Sequence, residues 1–192
     1  MQKIILVAVL SIFIAFTSSA QKKKDVPPPQ PAPELPMDQV THKITYEEVV
    51  DVPGKNANDI YKKILAWFRT YYKNPGEVIR ENDSINFSVT GKPRFRISNP
   101  PDKEGTKSDA GLVQYSITVA AKDGRFKYTL TEFNWKNTSY YACEKWYDTA
   151  LPSHTGAMDE YLRQTDNYAK NTVADLKNSV TSEKAVKNKN DW

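Results

Sequence analysis

The chain has 192 residues, one cysteine, seven glycines and a formal charge of +4. A single cysteine excludes an internal disulfide framework, so stability has to come from a packed core. The net positive charge comes from the two ends. Residues 25–183 hold 20 basic and 22 acidic side chains, which argues against a basic nucleic-acid-binding body.

Met1–Ala20 has the parts of a signal peptide: Lys3, an apolar run Ile4–Phe16 broken only by Ser11, and small residues Ser18-Ser19-Ala20. Cleavage is expected between Ala20 and Gln21. The run is shorter than the roughly 20 apolar residues a bilayer span needs. No cysteine lies near the cut, which excludes a lipoprotein anchor. The mature protein is expected to be exported, periplasmic or secreted, with no transmembrane segment. Residues 21–40 form a Pro-rich linker, with six of the twelve prolines in Pro27–Pro36. Such a run favours extended polyproline II. Residues 41–184 are expected to form one domain and 185–192 a frayed tail.

Within the domain, Ile44–Val52 reads as a strand with Ile44, Tyr46 and Val50 inward. Pro53-Gly54 is turn chemistry. Asn56 suits a helix N-cap, and Asp59 suits the positive end of the helix dipole. Ile60, Ile64, Trp67, Phe68 and Tyr71 then recur at helical spacing and mark a core-facing stripe. Glu77–Glu81 and Ile85–Thr90, joined by Asn82-Asp83-Ser84, read as a hairpin with Ile85, Phe87 and Val89 on the apolar side. Phe95 and Ile97 extend that strand or form a short one, and Ser98–Asp109 is a polar loop.

Asp123-Gly124 is a favoured type I′ hairpin turn. As a two-residue loop it pairs Ala121 with Phe126, Val119 with Tyr128 and Ile117 with Leu130 on one face. The other face carries Gln114, Ser116, Thr118 and Ala120 opposite Phe133, Thr131, Thr129 and Lys127. Residues 134–152 hold Trp135, Tyr140, Tyr141, Trp146 and Tyr147 without a clean period. A helix is expected over Thr155–Lys184, with Tyr161, Thr165, Tyr168, Val173, Leu176 and Val180 on its stripe. The expected class is α+β: one antiparallel sheet of about five strands, in the order β-α-β-β-β-β-α, with two helices on one face.

The run Asp51-Val52-Pro53-Gly54-Lys55, the residues Asp59-Ile60-Tyr61 and Trp67-Phe68, and the Val113–Phe133 hairpin resemble the DUF4468 family. That family comprises exported Bacteroidota proteins with a TBP-like fold. The resemblance covers about 45–135 and stops short of the 134–152 aromatic segment. It implies a TBP-like sheet and brings no activity, cofactor or catalytic residue with it. The fold name does not imply DNA binding, because function lives in sites.

Two surfaces stand out as binding candidates. The polar sheet face presents Gln114, Ser116, Thr118, Lys127, Thr129 and Thr131; its bland reading is a solvated face. The aromatic segment presents Trp135, Tyr140, Tyr141, Trp146 and Tyr147; its bland reading is a cap on the core. Either surface fits a non-enzymatic binding or scaffold module for a protein, peptide or glycan of the cell envelope. The alternative is a small hydrolase or transferase using Cys143 with His154, which requires those side chains within hydrogen-bond reach. No His, Cys, Asp and Glu spacing fits a metal site, and no cofactor is expected.

Asp83-Ser84-Ile85 and Asp148-Thr149-Ala150 resemble the Asp-Ser/Thr-apolar pattern O-glycosylated in exported Bacteroidota proteins. Glycans on Ser84 and Thr149 would raise the intact mass of the native protein above that of bare residues 21–192. A mass equal to the bare chain removes both sites.

Overall fold

The structure is a computed structural model that describes residues 31–136 and 139–182. The expected signal peptide, the first part of the Pro-rich stretch and the expected 185–192 tail lie outside the described residues. The architecture is α+β. Seven antiparallel strands form one sheet: β1 (Tyr46–Asp51), β2 (Ile79–Asp83), β3 (Ser88–Gly91), β4 (Arg94–Ser98), β5 (Asp109–Lys122), β6 (Arg125–Lys136) and β7 (Tyr140–Ala142). The main path runs β1-β6-β5-β3-β2, while β4 pairs with the first half of β5 and β7 with the last residues of β6. Helices α1 (Ala57–Tyr71), α2 (Pro75–Val78) and α3 (Ala157–Thr181) complete the fold.

Helix α1 begins as its residues dictate. The Asn56 side chain accepts the Asp59 N–H at 2.8 Å, which satisfies one of the free donors of the first turn. Ile60, Tyr61, Ile64, Trp67 and Phe68 are buried against the sheet side. Each such side chain contributes roughly 1.5–3 kcal/mol relative to exposure. The C-terminal end of α3 is tied to this helix by Lys63, whose ammonium donates to the Val180 and Ser182 carbonyls at 3.0 and 2.6 Å. A cation there satisfies orphan carbonyls and meets the negative end of the dipole.

The long hairpin has the expected register from Lys122–Arg125 to Ser116–Thr131. Beyond it the pairing departs from the sequence reading, because β6 carries a bulge. Gln114 faces Asn134 instead of Phe133, and Glu132 adopts φ +57°. One extra residue flips the faces of everything that follows. Phe133 is therefore fully buried, stacked on Tyr115 with centroids 5.3 Å apart. The sheet also has two strands more than expected. Gly91-Lys92-Pro93 breaks one run into β3 and β4, and the aromatic segment supplies β7.

The β2–β3 connection is another correction. Asp83 Oδ1 accepts the N–H groups of Ile85 and Asn86, both at 2.9 Å. This local turn competes with the ladder. Ile85 is 85% exposed in the turn, and Phe87 takes φ +53°. The Pro-rich stretch is docked where it is described. Leu35 is 5% exposed, and Met37 bridges to Ile44.

One buried carboxylate is held by two partners. Tyr46 donates to Asp166 at 2.8 Å, and Lys170 bridges the other carboxylate oxygen at 2.7 Å. Burial holds the phenols of Tyr46, Tyr72, Tyr115, Tyr128, Tyr147, Tyr161 and Tyr168 above their ordinary range. The folded state keeps these protons where the unfolded chain loses them. The resulting stability is present below about pH 10 and falls as pH rises above it. In an alkaline titration followed at 295 nm, most of the eleven tyrosines should ionise only in the step that also abolishes the helical circular-dichroism signal. Ionisation of all eleven in a native-like protein would contradict this packing.

Candidate functional site

The aromatic segment folds into a short strand and a 3-10 helix, Cys143–Tyr147. Strand β7 pairs Tyr141 with Trp135, and the 3-10 helix buries Cys143 and Trp146 behind them. The start of α3 brings Met158 and Tyr161. Together with Leu151, Ser153 and Thr155 of the intervening loop, they line a cleft of about 390 Å³. Three rings meet around it. Trp135 and Trp146 have centroids 5.8 Å apart, Trp146 and Tyr161 5.5 Å, and Trp135 and Tyr161 5.9 Å. Such tilted contacts are favoured by ring quadrupoles.

The walls are fixed from outside. The Trp135 indole N–H donates to the Ala110 carbonyl at 2.7 Å, and the Tyr161 hydroxyl donates to Asn99 Oδ1. Trp146 is 2% exposed, and its indole N–H has no hydrogen-bond partner. Lys145 is the one charged residue of the lining. An apolar cleft with few polar groups is the usual form of a binding pocket.

The five aromatics singled out in the sequence therefore separate. Trp135, Tyr141 and Trp146 line the cleft. Tyr140 is exposed beside it, under the Lys136 ammonium at 5.5 Å from the ring centroid. Tyr147 points to the Pro-rich stretch, donating to the Pro33 carbonyl at 2.8 Å and accepting the Leu35 N–H at 3.0 Å. Met158 and Leu151 are lining residues that the sequence does not reveal. Tyr161 was legible as core, and its second role as a wall depends on the fold.

The polar sheet face is mostly self-satisfied. Thr118 bonds Thr90 at 3.2 Å, Ser116 donates to Glu132 at 2.8 Å, and Thr129 donates to Glu47 at 2.9 Å. Thr131 meets Thr45 at 3.0 Å, and Lys127 pairs with Glu47 at 2.8 Å. These are cross-strand pairs that stabilise the sheet. Gln114 alone of the six has no such partner among the described residues.

The sequence of residues 46–136 matches the family model for a domain of unknown function, DUF4468, with a TBP-like fold. The match covers just under half of the chain. The chain is similar to a crystallised DUF4468 family protein from Bacteroides ovatus, with TM-score 0.62 and 20% identity over 76% of this chain and 91% of that one. A TBP-like protein from Parabacteroides distasonis gives TM-score 0.60 and 15% identity over 77% and 97%. These likenesses show the fold. No curated protein matches the chain.

The cleft straddles the end of the segment that matches the DUF4468 model. Trp135 belongs to it, while Tyr141, Trp146, Met158 and Tyr161 come from the chain that follows. The other sequence candidates lie apart from the cleft's chemistry. Cys143 is fully buried, and burial pushes its thiol well up from its ordinary value, with the Glu144 charge adding to this. A thiol kept protonated is a poor nucleophile. No hydrogen bond joins it to His154, whose buried Nδ1 has no partner. Ser84 and Thr149 are both exposed in turns. Among the described residues, no group of three His, Cys, Asp or Glu side chains could hold a metal, and no helix is long and apolar enough to cross a membrane.

One glycine holds the cleft's first wall. Gly111 has φ +101°, and a Cβ there would sit 2.6 Å from the Lys136 carbonyl oxygen and 3.2 Å from Trp135 Nε1. Gly111→Ala should cost about 1–3 kcal/mol for the backbone conformation alone. It should also change the emission of Trp135. Thermal melting and tryptophan fluorescence check this; a variant with unchanged stability and spectrum would contradict the close approach.

Proposed function

We propose that this protein is a non-enzymatic binding module of the bacterial cell envelope. It holds an apolar or aromatic side chain of a partner polypeptide in the aromatic cleft. The observation that carries this reading is the 390 Å³ cleft itself, walled by Trp135, Tyr141, Trp146 and Tyr161 with Met158 and Leu151. Aromatic residues and methionine are enriched at protein recognition surfaces, and a pocket that takes one anchor side chain is their usual energetic centre. A polypeptide fits this lining better than a glycan, because Lys145, Ser153 and Thr155 are its only polar side chains besides the aromatic ones. Tyr140 and Tyr141 stand exposed at the rim and extend the contact.

Export is part of the proposal. Its support is the signal-peptide pattern of Met1–Ala20 and the bacterial sources of the similar structures. The domain limits of 41–184, with a linker before it, belong to the same reading. Contacts made by Leu35 and Tyr147 place the last residues of the Pro-rich stretch against the folded body.

The test uses N-acetyl-phenylalanine amide as a minimal anchor. In two-dimensional NMR of the full mature chain, its titration should shift the indole N–H signals of Trp135 and Trp146 and leave that of Trp67 in place. Tyr141→Ala plus Leu151→Asp should abolish those shifts with folding intact. An envelope pull-down with the same variant, set against Thr118→Lys plus Thr129→Lys, reads the natural partner. Loss of the partner only in the sheet-face variant would overturn the cleft as the contact surface, as would an absence of indole shifts.

A further inference from the structure

A second cleft, of about 450 Å³, lies where the end of α1 and α2 meet the β3–β4 corner. Its cations come from three separate parts of the chain. Lys73 follows α1, Arg80 is on β2, and Lys92 and Arg94 flank Pro93. One carboxylate, Glu77, shares the lining. The balance is three positive charges around one concave surface.

The corner is held in place by backbone contacts. The Lys92 N–H donates to the Val78 carbonyl at 2.9 Å, and the Tyr115 N–H donates to the Pro93 carbonyl at 3.1 Å. Gly91 lets the corner approach this closely, because a Cβ there would lie 3.0 Å from the Phe68 ring and 3.2 Å from Val78. Tyr72 is buried at the base, its hydroxyl engaged with that of Tyr115 at 3.1 Å.

The cations around this cleft are weakly compensated. Glu77 meets Arg94 at 3.6 Å, and Glu132 meets Lys92 at 4.0 Å, both long and largely exposed contacts. Such pairs contribute little and yield readily to a better acceptor. Lys73 and Arg80 have no ion pair or side-chain hydrogen bond among the described residues. The amides of Asn74 and Gln114, which also line the cleft, have no side-chain hydrogen bond there either. Arg96, next in the same basic run, is by contrast closed off by Asp109 at 2.8 Å.

We infer that this cleft binds a phosphate monoester. Two guanidinium groups offer bidentate donors to phosphate oxygens, and two ammonium groups add charge. A dianionic phosphoryl group matches the surplus charge more closely than a single carboxylate does. The cleft has room beyond a bare phosphate for the group that carries it, and the Asn74 and Gln114 amides face polar substituents there. The ester is either a soluble phosphorylated metabolite or the headgroup of a phosphorylated lipid.

The experiment titrates full mature protein with glucose 6-phosphate, with glucose as the uncharged control, by calorimetry. A parallel arm measures co-sedimentation with phosphatidylcholine vesicles containing phosphatidic acid. Lys73→Glu plus Arg80→Glu changes only exposed side chains, so folding should survive, as circular dichroism would show. The affinity of that variant should fall about tenfold or more, since charge-assisted contacts are lost and repulsion replaces them. Lys103→Glu plus Lys107→Glu, on the loop before β5, should leave it unchanged. Binding in the sugar phosphate arm with this pattern supports the site and a soluble ligand; binding only to vesicles supports the site and a lipid headgroup. Equal losses in both variants would reduce the effect to general surface charge and overturn the site, as would an absence of binding in both arms.

Discussion

The bulge at Glu132 is the constraint on which the rest of the structure depends. It costs a left-handed backbone at a non-glycine residue, about 1–3 kcal/mol by the usual range for such conformations. Several contacts offset that cost. The Asn134 amide donates to the Glu132 carbonyl at 2.6 Å, Ser116 donates to its carboxylate, and Lys43 pairs with it at 3.3 Å. The Ser116 hydroxyl and Lys43 ammonium hold that carboxyl below the usual range. Without the extra residue, Phe133 and Trp135 would lie on the polar face. With it, Phe133 enters the core beside Tyr115, and Trp135 reaches the wall of the aromatic cleft. The same displaced Glu132 also meets Lys92 at the margin of the basic cleft.

The interior depends on aromatic contacts and a few satisfied polar ones. Phe95 and Tyr168 stack at 3.8 Å, and Trp67 stacks on Tyr71 at 4.8 Å. These contacts join β4 to α3 and close the end of α1. Hydroxyl and carboxylate pairs such as Tyr46–Asp166 and Tyr72–Tyr115 lie among them. A buried carboxylate is tolerated here because Tyr46 and Lys170 both reach it, and removal of either would leave a costly unpaired group. Cys143 is fully buried beside Trp146 in the 3-10 helix, and burial keeps its thiol protonated.

Both candidate sites lie at places where regular pairing stops. The aromatic cleft forms beyond the last pairs of β6, where β7 and a 3-10 helix turn the chain back on α3. The basic cleft forms where Pro93 interrupts a strand and α2 fills the corner. In each case the interruption leaves side chains from distant segments facing a common space. The polar sheet face, by contrast, is paired along most of its length, with Gln114 the exception among its six candidates. Its hydroxyls and charges bond each other, which makes it a stable surface with little left to offer a ligand.

Much of the fold was legible in local pattern. The Asn56 cap, the α1 stripe, the Asp123-Gly124 turn and the hairpin register as far as Thr131 all follow from short-range rules of spacing and turn chemistry. The α+β class followed from the order of those elements, and the TBP-like resemblance rested on residue motifs such as Asp51–Lys55 and the Val113–Phe133 hairpin. The bulge was not legible, because alternation alone cannot show where one residue is left unpaired. Nor was the Asp83 turn that leaves Ile85 in solvent, since its alternation with Phe87 and Val89 imitates a strand. The aromatic segment was recognised by composition, yet which rings share a cleft depends on Met158 and Tyr161, contributed by a helix that starts at Ala157, well beyond Trp146. The sequence by itself determined the elements, their apolar faces and the presence of spare aromatic and basic side chains. Only the tertiary structure decided which of these converge, because convergence is set by long-range packing and one register shift, neither of which leaves a periodic trace in the chain.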